Sequence, residues 1–391
     1  MQIYTKYKAG RGRGPLRTAF YWLLVLGGLS FLVWVFLDSG RRGEVSPGDP
    51  ALRRKPQPQP PAASVSRDGA PWVPGADNRE PTNPASSRPG PPSFTQSPYV
   101  VSDGTYPRPV ANLLEAQVAL ARRGVSPGSL DGTIGSQTRT ALRVFQAVYD
   151  LRVTGQMDPT TRSRLTLDAA PFINMVVGPQ DLARLIPLSS TWLGKSLQPR
   201  LDYETILELV AERYQSHPAL IQRLNPSVNW ANVTPGTGLL VPNVWTLAPA
   251  RKAAFAKIYL ASKILQAFDA QNQMLAHFPC SIARRVDKRP TGMLQVVVIA
   301  PNPNYTFNPQ IFPESPEANQ LGRTLNLPAG PNNPVGVVWI GLDRPGYGIH
   351  GTPRPEDVGR TESHGCFRLA NWNAEFLARL VAVGTPIYVE P

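Results

Sequence analysis

Tyr347-Gly348-Ile349-His350-Gly351-Thr352-Pro353 and, shortly after it, Ser363-His364-Gly365-Cys366-Phe367-Arg368 decide how the rest of the chain reads. Together they hold two of the four histidines and one of the two cysteines in 391 residues. A thiol attacks as its thiolate, and a nearby imidazole or positive potential supplies that form. The glycines let backbone approach a substrate closely. Three readings fit these residues: a Cys-His nucleophilic site, a zinc site built from His350, His364 and Cys366, or a buried structural cysteine with incidental histidines. Zinc is the weaker reading, because no fourth Cys or His follows at ligand spacing.

The pattern resembles the catalytic domain of the L,D-transpeptidases, the cysteine enzymes of peptidoglycan cross-linking. Their signature is a strand ending in His-Gly, a variable loop, then Ser-His-Gly-Cys with Arg or Asn two residues on. His350-Gly351-Thr352 and Ser363-His364-Gly365-Cys366-Phe367-Arg368 match it. So do Gly330-Pro331-Asn332-Asn333-Pro334, Trp339-Ile340-Gly341-Leu342 and Pro290-Thr291-Gly292, and the match covers residues 254–391. So many fixed residue types make a far more specific signal than a lone Cys-His pair.

The resemblance implies a mostly-β catalytic sandwich and a role for each matching residue. Cys366 is the nucleophile and forms a thioester with a peptide carbonyl. His350 is the general base and acid, its other ring nitrogen held by the carbonyl of Gly351. Backbone N–H groups of His364, Gly365 and Cys366 form the oxyanion hole, the His364 side chain either shares the base work or, as the resemblance implies, positions, and Ser363 bonds within the loop. Arg368 either pairs with a substrate carboxylate or fixes the loop internally. No metal or organic cofactor is needed. The donor is a tetrapeptide stem that loses its terminal D-alanine, and a side-chain amine of a second stem resolves the thioester as a 3→3 cross-link. Water, a lipoprotein or a free D-amino acid as acceptor uses the same motif. Carbapenems are expected to acylate Cys366.

The formal charge is +13, which points to an anionic surrounding such as lipid head groups or wall polymer. No nucleic-acid motif accompanies it. Many of the 43 prolines crowd into the first hundred residues. Two cysteines are too few for a disulfide framework, and a Cys280–Cys366 bond would occupy the nucleophile.

In chain order, residues 1–17 are a basic tail carrying Lys6, Lys8, Arg11, Arg13 and Arg17. Residues 18–37 are uncharged and long enough, at about 20 residues, to cross a membrane as a helix. Basic residues before the span predict a cytoplasmic N-terminus. A cleaved signal peptide is the alternative, but the apolar run exceeds a usual signal core and no small-x-small site follows, so this reads as an uncleaved single-pass anchor of the bacterial cytoplasmic membrane, with the catalytic part on the periplasmic or cell-wall side. Residues 38–107 form a Pro-rich linker with too little apolar surface to fold.

Residues 108–167 read as three helices, with Asp158-Pro159 opening the third. They resemble the peptidoglycan-binding domain through Leu130-Asp131-Gly132, Gly135, Thr138, Ala141, Phe145-Gln146, Leu151, Thr154-Gly155, Asp158 and Thr161. Residues 168–245 resemble a small α+β LysM module, which in its family binds N-acetylglucosamine polymers. Asp202 is expected to cap its first helix, and the usual Gly-Asp-Thr at its start is replaced by Leu201-Asp202-Tyr203. Cys280 reads as a small apolar core residue, His277 as a strand residue and His217 as a surface residue. Two other classes remain: a wall-binding scaffold with an inactive head, and a general cysteine peptidase.

Overall fold

The structure, a computed structural model, describes residues 104–244, 251–312, 315–363 and 365–391. The basic tail 1–17, the membrane span expected at 18–37 and the linker as far as residue 103 lie outside the described residues, as does His364. Among the described residues no helix is long and apolar enough to cross a membrane.

The described chain opens with β1 (Arg108–Pro109), α1 (Leu113–Arg122), α2 (Ser136–Val148), α3 (Pro159–Arg164) and β2 (Thr166–Leu167). Asn112 caps α1 by accepting the Glu115 amide, and Asp158 caps α3 by accepting that of Thr161, with Pro159 in the first turn. Two buried glutamines hold the intervening turns. Gln117 Oε1 accepts from Asp131 N and Gly132 N, and Gln146 Oε1 accepts from Thr154 N and Gly155 N. The three helices expected here are present.

There follow β3 (Phe172–Val176), α4 (Pro179–Leu182), α5 (Trp192–Ser196), α6 (Ile206–Arg213), α7 (Pro218–Leu224) and β4 (Gly238–Pro242). β3 and β4 pair antiparallel, Phe172 opposite Pro242 and Val176 opposite Gly238. Thr205, not Asp202, caps α6 by accepting the Glu208 amide. A cap has to stand directly before the first helical residue to reach the free N–H groups. Asp202 lies too far upstream and instead pairs with Arg184 and Arg200. His217 is a helix cap rather than a plain surface residue: its Nδ1 accepts from Ala219 N at 3.1 Å. Leu114, Phe145 and Leu165 from the helical region share one continuous core with Leu209, Leu220 and Val241 from the α+β region.

The C-terminal part contains β5 (Phe255–Tyr259), β6 (Ile264–Phe268), β7 (Met274–Pro279), β8 (Gly292–Pro301), β9 (Tyr305–Phe307), α8 (Pro316–Leu321), β10 (Leu325–Leu327), β11 (Val338–Leu342), β12 (Gly348–His350), β13 (Phe367–Arg368), α9 (Asn371–Leu380) and β14 (Pro386–Glu390). Eight strands run in the order β13-β12-β11-β8-β14-β5-β6-β7. β8 joins the two halves: its first residues pair with β14 and its later ones with β11. Ile258, Leu265, Ile340, Ile349, Phe367 and Ile387 fill the core, with Leu377 and Leu380 of α9 packed on it. The sheet-rich class read from the sequence is therefore present.

Two details differ from expectation. The run Val296-Val297-Val298-Ile299 reads as a wholly buried strand, yet Val297 and Val298 are 48% and 44% exposed. Helix α9 is expected at about residues 373–383 but ends at Leu380, where Val381 turns to extended backbone. The N–H of Ala382 is then taken by Thr385 Oγ1.

Both N-terminal regions dock onto this C-terminal part. Ser126 N donates to His277 O at 2.9 Å and His277 N to Gly124 O at 2.8 Å, so the helical region pairs with the exposed edge at β7. On the other side, Trp192 of α5 stacks on Phe307 with ring centroids 4.4 Å apart. Leu201 N donates to Ala329 O, and Asn332 N returns a bond to Leu201 O, both at 2.9 Å.

Candidate active site

The site is built on three adjoining strands. β11 and β12 pair antiparallel, with Trp339 opposite His350 and Gly341 opposite Gly348. β12 and β13 pair parallel, with Ile349 beside Phe367 and His350 beside Arg368. Side chains alternate between the faces of a sheet, and paired residues share a face. Ile349 and Phe367 therefore enter the core, while His350 and Arg368 turn the other way. Cys366, one step before β13 on the same alternation, lies on the His350 face beside Gly348.

Trp339 explains the glycines of this face. Its indole stacks on the His350 ring at 5.6 Å and 23°. A Cβ at Gly348 would meet that indole at 2.6 Å, and one at Gly341 would meet it at 3.0 Å. Only glycine leaves room for the ring to lie flat beside the imidazole.

His350 is buried and neutral. Its Nδ1 lies 2.6 Å from the carbonyl oxygen of Gly351, and a carbonyl only accepts, so Nδ1 carries the proton and Nε2 is the basic nitrogen. Burial lowers its pKa to about 4, against the smaller raising effect of the Gly351 carbonyl. Cys366 is partly buried and free. Its Sγ donates to Gly346 O at 3.4 Å. Burial raises its pKa, while a backbone bond from Gly348 and the Arg368 charge pull it down. The thiol thus rests protonated against the turn before β12.

Arg368 is held internally. Its Nη2 donates to Thr361 Oγ1 at 3.0 Å and to Glu362 O at 2.8 Å. These bonds tie Arg368 to the loop before Cys366. Ser363 Oγ donates to the Cys366 carbonyl and accepts from Gly365 N at 3.3 Å. The Gly365 N–H is thus engaged within the loop. Gly351 N donates to Val338 O at 3.2 Å.

Cys280 is wholly buried and free. Burial pushes its thiol up to about 12, so it is inert core, as its sequence surroundings suggest. His277 is buried on β7, with burial lowering its pKa to about 4.

Sequence reasoning missed two groups. Tyr305 arrives on the 302–336 excursion and is pushed up to about 12 by burial and by Cys366. No motif surrounds it. Asn371 sits just beyond Arg368, and its Oδ1 accepts from Thr352 N at 3.0 Å. The second had a faint signal, since an amide at the start of a helix so close to the Cys motif is well placed to bind backbone.

The chain is similar to known proteins. Residues 254–389 match the family "L,D-transpeptidase catalytic domain", and residues 110–165 match the family "Putative peptidoglycan binding domain". The "Putative L,D-transpeptidase YkuD" of Bacillus licheniformis is 25% identical over 190 residues, covering 48% of this chain and 94% of the relative. The "Putative L,D-transpeptidase YqjB" of Bacillus subtilis is 33% identical over 124 residues, covering 30% of this chain and 61% of that protein. A crystal structure of L,D-transpeptidase 3 from Mycobacterium tuberculosis in complex with a faropenem-derived adduct aligns with TM-score 0.29 and 15% identity, covering 41% of this chain and 76% of that one.

Proposed function

Residues 254–389 match the L,D-transpeptidase catalytic domain, and on that premise we propose that the chain cross-links peptidoglycan stem peptides as a cysteine acyltransferase. The donor is a tetrapeptide stem. Cys366 Sγ attacks the carbonyl of the third residue and passes its proton to His350 Nε2. The C–N bond to the terminal D-alanine breaks, the amine leaves with that proton, and a thioester remains on Cys366. A side-chain amine of a second stem attacks the thioester, His350 takes the amine proton, and a 3→3 link forms as the thiol is restored. The observation that carries this reading is the His350 tautomer. Nδ1 is committed to the Gly351 carbonyl, so a neutral Nε2 is left facing the side of the sheet on which Cys366 lies.

Gly365 N–H, released from Ser363 Oγ, joins the N–H groups of His364 and Cys366 around the oxyanion. Arg368 acts by keeping the loop closed and by adding positive potential at the thiol. Residues 108–167 hold the enzyme on wall polymer. The antiparallel β3–β4 pair with the successive helices α6 and α7 before β4 supports a LysM-like origin for residues 168–245, α4 and α5 being additions between β3 and α6. The basic tail 1–17 and the uncharged run 18–37 support a single-pass anchor in the cytoplasmic membrane, with the catalytic part on the wall side.

Muropeptide analysis after incubation with tetrapeptide-containing wall tests the assignment. New 3→3 dimers with loss of D-alanine are expected. Tripeptides without dimers would make the chain an L,D-carboxypeptidase, and unchanged wall would make it a scaffold.

A further inference from the structure

Helix α6 belongs to the α+β region, outside the matched catalytic domain, yet it reaches the backbone beside the catalytic histidine. Asn371, the first residue of α9, is the joint. Its Oδ1 accepts from Thr352 N at 3.0 Å and from Val337 N at 3.3 Å, tying the end of β12 to the start of β11. Its Nδ2 donates to Glu212 Oε1 at 3.0 Å and Oε2 at 3.1 Å, and to Pro331 O at 3.2 Å. Two backbone N–H groups need an acceptor and a carboxylate and a carbonyl need donors, so the amide has one orientation. A Cβ on Gly351 would run into this same Oδ1. Gly351, caught between His350 and Thr352, holds the imidazole through its carbonyl.

We propose that Glu212 is a positioning residue for the transpeptidase reaction, acting through Asn371 to fix the Gly351 carbonyl and hence the His350 ring. The catalytic domain then draws part of its active-site geometry from the region before it. Glu212 is itself held. Tyr203 Oη donates to its Oε1 at 3.0 Å, and Arg184 lies over the Tyr203 ring at 4.7 Å.

The groups facing Glu212 are Tyr203 and Arg184, Glu208 on its own helix, and Glu375 on α9. Burial, with Glu208 and Glu375 adding to it, raises the Glu212 pKa to about 8, against the Asn371 and Tyr203 bonds that favour the carboxylate. The ionised form is a pure acceptor and suits those two donors best. The relay therefore tightens as pH rises through 8.

This inference rests on the transpeptidase reading, and the test separates the two. The whole chain is treated with a carbapenem, and the saturating rate of adduct formation on Cys366 is followed by mass spectrometry from about pH 6 to about pH 9, a range that brackets the Glu212 value of about 8. E212A is expected to lower that rate about tenfold with the half-saturating concentration little changed. N371A is expected to lose at least as much, and E212A/N371A no more than N371A alone. E212Q, which still offers a carbonyl oxygen to both donors, is expected to recover most of the rate at neutral pH. The wild-type to E212Q ratio is expected to rise through pH 8. Cooperative thermal unfolding of each variant shows that it has folded. E212A within about twofold of wild type, or single effects that multiply in the double variant, overturns the relay. No adduct on wild type overturns the transpeptidase reading instead.

Discussion

His350 gives its Nδ1 proton to the carbonyl of Gly351 across 2.6 Å, and this bond decides which nitrogen of the ring is free for chemistry. The ring is buried under Trp339, so it stays neutral, and burial holds its pKa near 4. A base of that kind is present in its working form at any pH above about 4.

The first prediction concerns stability. His277 and His350 are both buried with pKa values lowered from 6.5 to about 4. Between those values the unfolded chain binds more protons than the folded one, so stability rises with pH across the window and is lost as pH falls through it. Each shift corresponds to roughly 3 kcal/mol at most. The melting temperature is expected to drop steeply from pH 6.5 to 4. His277→Gln is expected to flatten that slope, and an unchanged slope would show that His277 does not titrate there.

Gly348→Ala places a methyl against the Trp339 indole. The ring must leave the His350 face or the strands must part, at a cost of about 1–3 kcal/mol. Adduct formation on Cys366 is expected to fall at least about tenfold, because the shifted ring no longer packs His350 in place. Trp339→Ala in the same background is expected to recover part of that rate, since the clash is gone.

Arg368→Gln removes the charge that lowers the Cys366 pKa and the bonds to Thr361 and Glu362. The pH midpoint for alkylation of Cys366 by iodoacetamide is expected to move upward. A midpoint equal to wild type would mean that Arg368 acts on the loop alone.

The two cysteines differ in reach. The native protein is expected to take one iodoacetamide label, on Cys366, and the denatured protein two, because Cys280 is buried with its thiol pushed up to about 12. Peptide mapping of the labels decides it, and an early label on Cys280 would contradict the burial.

Much of this was legible from residues close together in sequence. The His-Gly and Ser-His-Gly-Cys runs marked the site because the chemistry needs those types within two short segments. Asp158-Pro159 marked a helix start because capping is local. The partner of β4 was not legible. β3 pairs with it across a long insertion, and Phe172-Ile173-Asn174-Met175-Val176 carries no turn signal to announce a strand. The Glu212–Asn371 bond was equally hidden, since it joins residues 159 apart and each looks ordinary in its own helix. Asp202 misled because an acidic residue shortly before an apolar helix looks like a cap until the exact cap position is known.

The central claim is that Cys366 carries the acyl group with His350 as its base. Intact-protein mass spectrometry after a short exposure to a carbapenem tests it most directly. The account predicts one covalent adduct on wild type, none on Cys366→Ala, and formation slowed by about a hundredfold or more on His350→Ala. Equal adduct on wild type and Cys366→Ala, or a rate unaffected by loss of the imidazole, would contradict it.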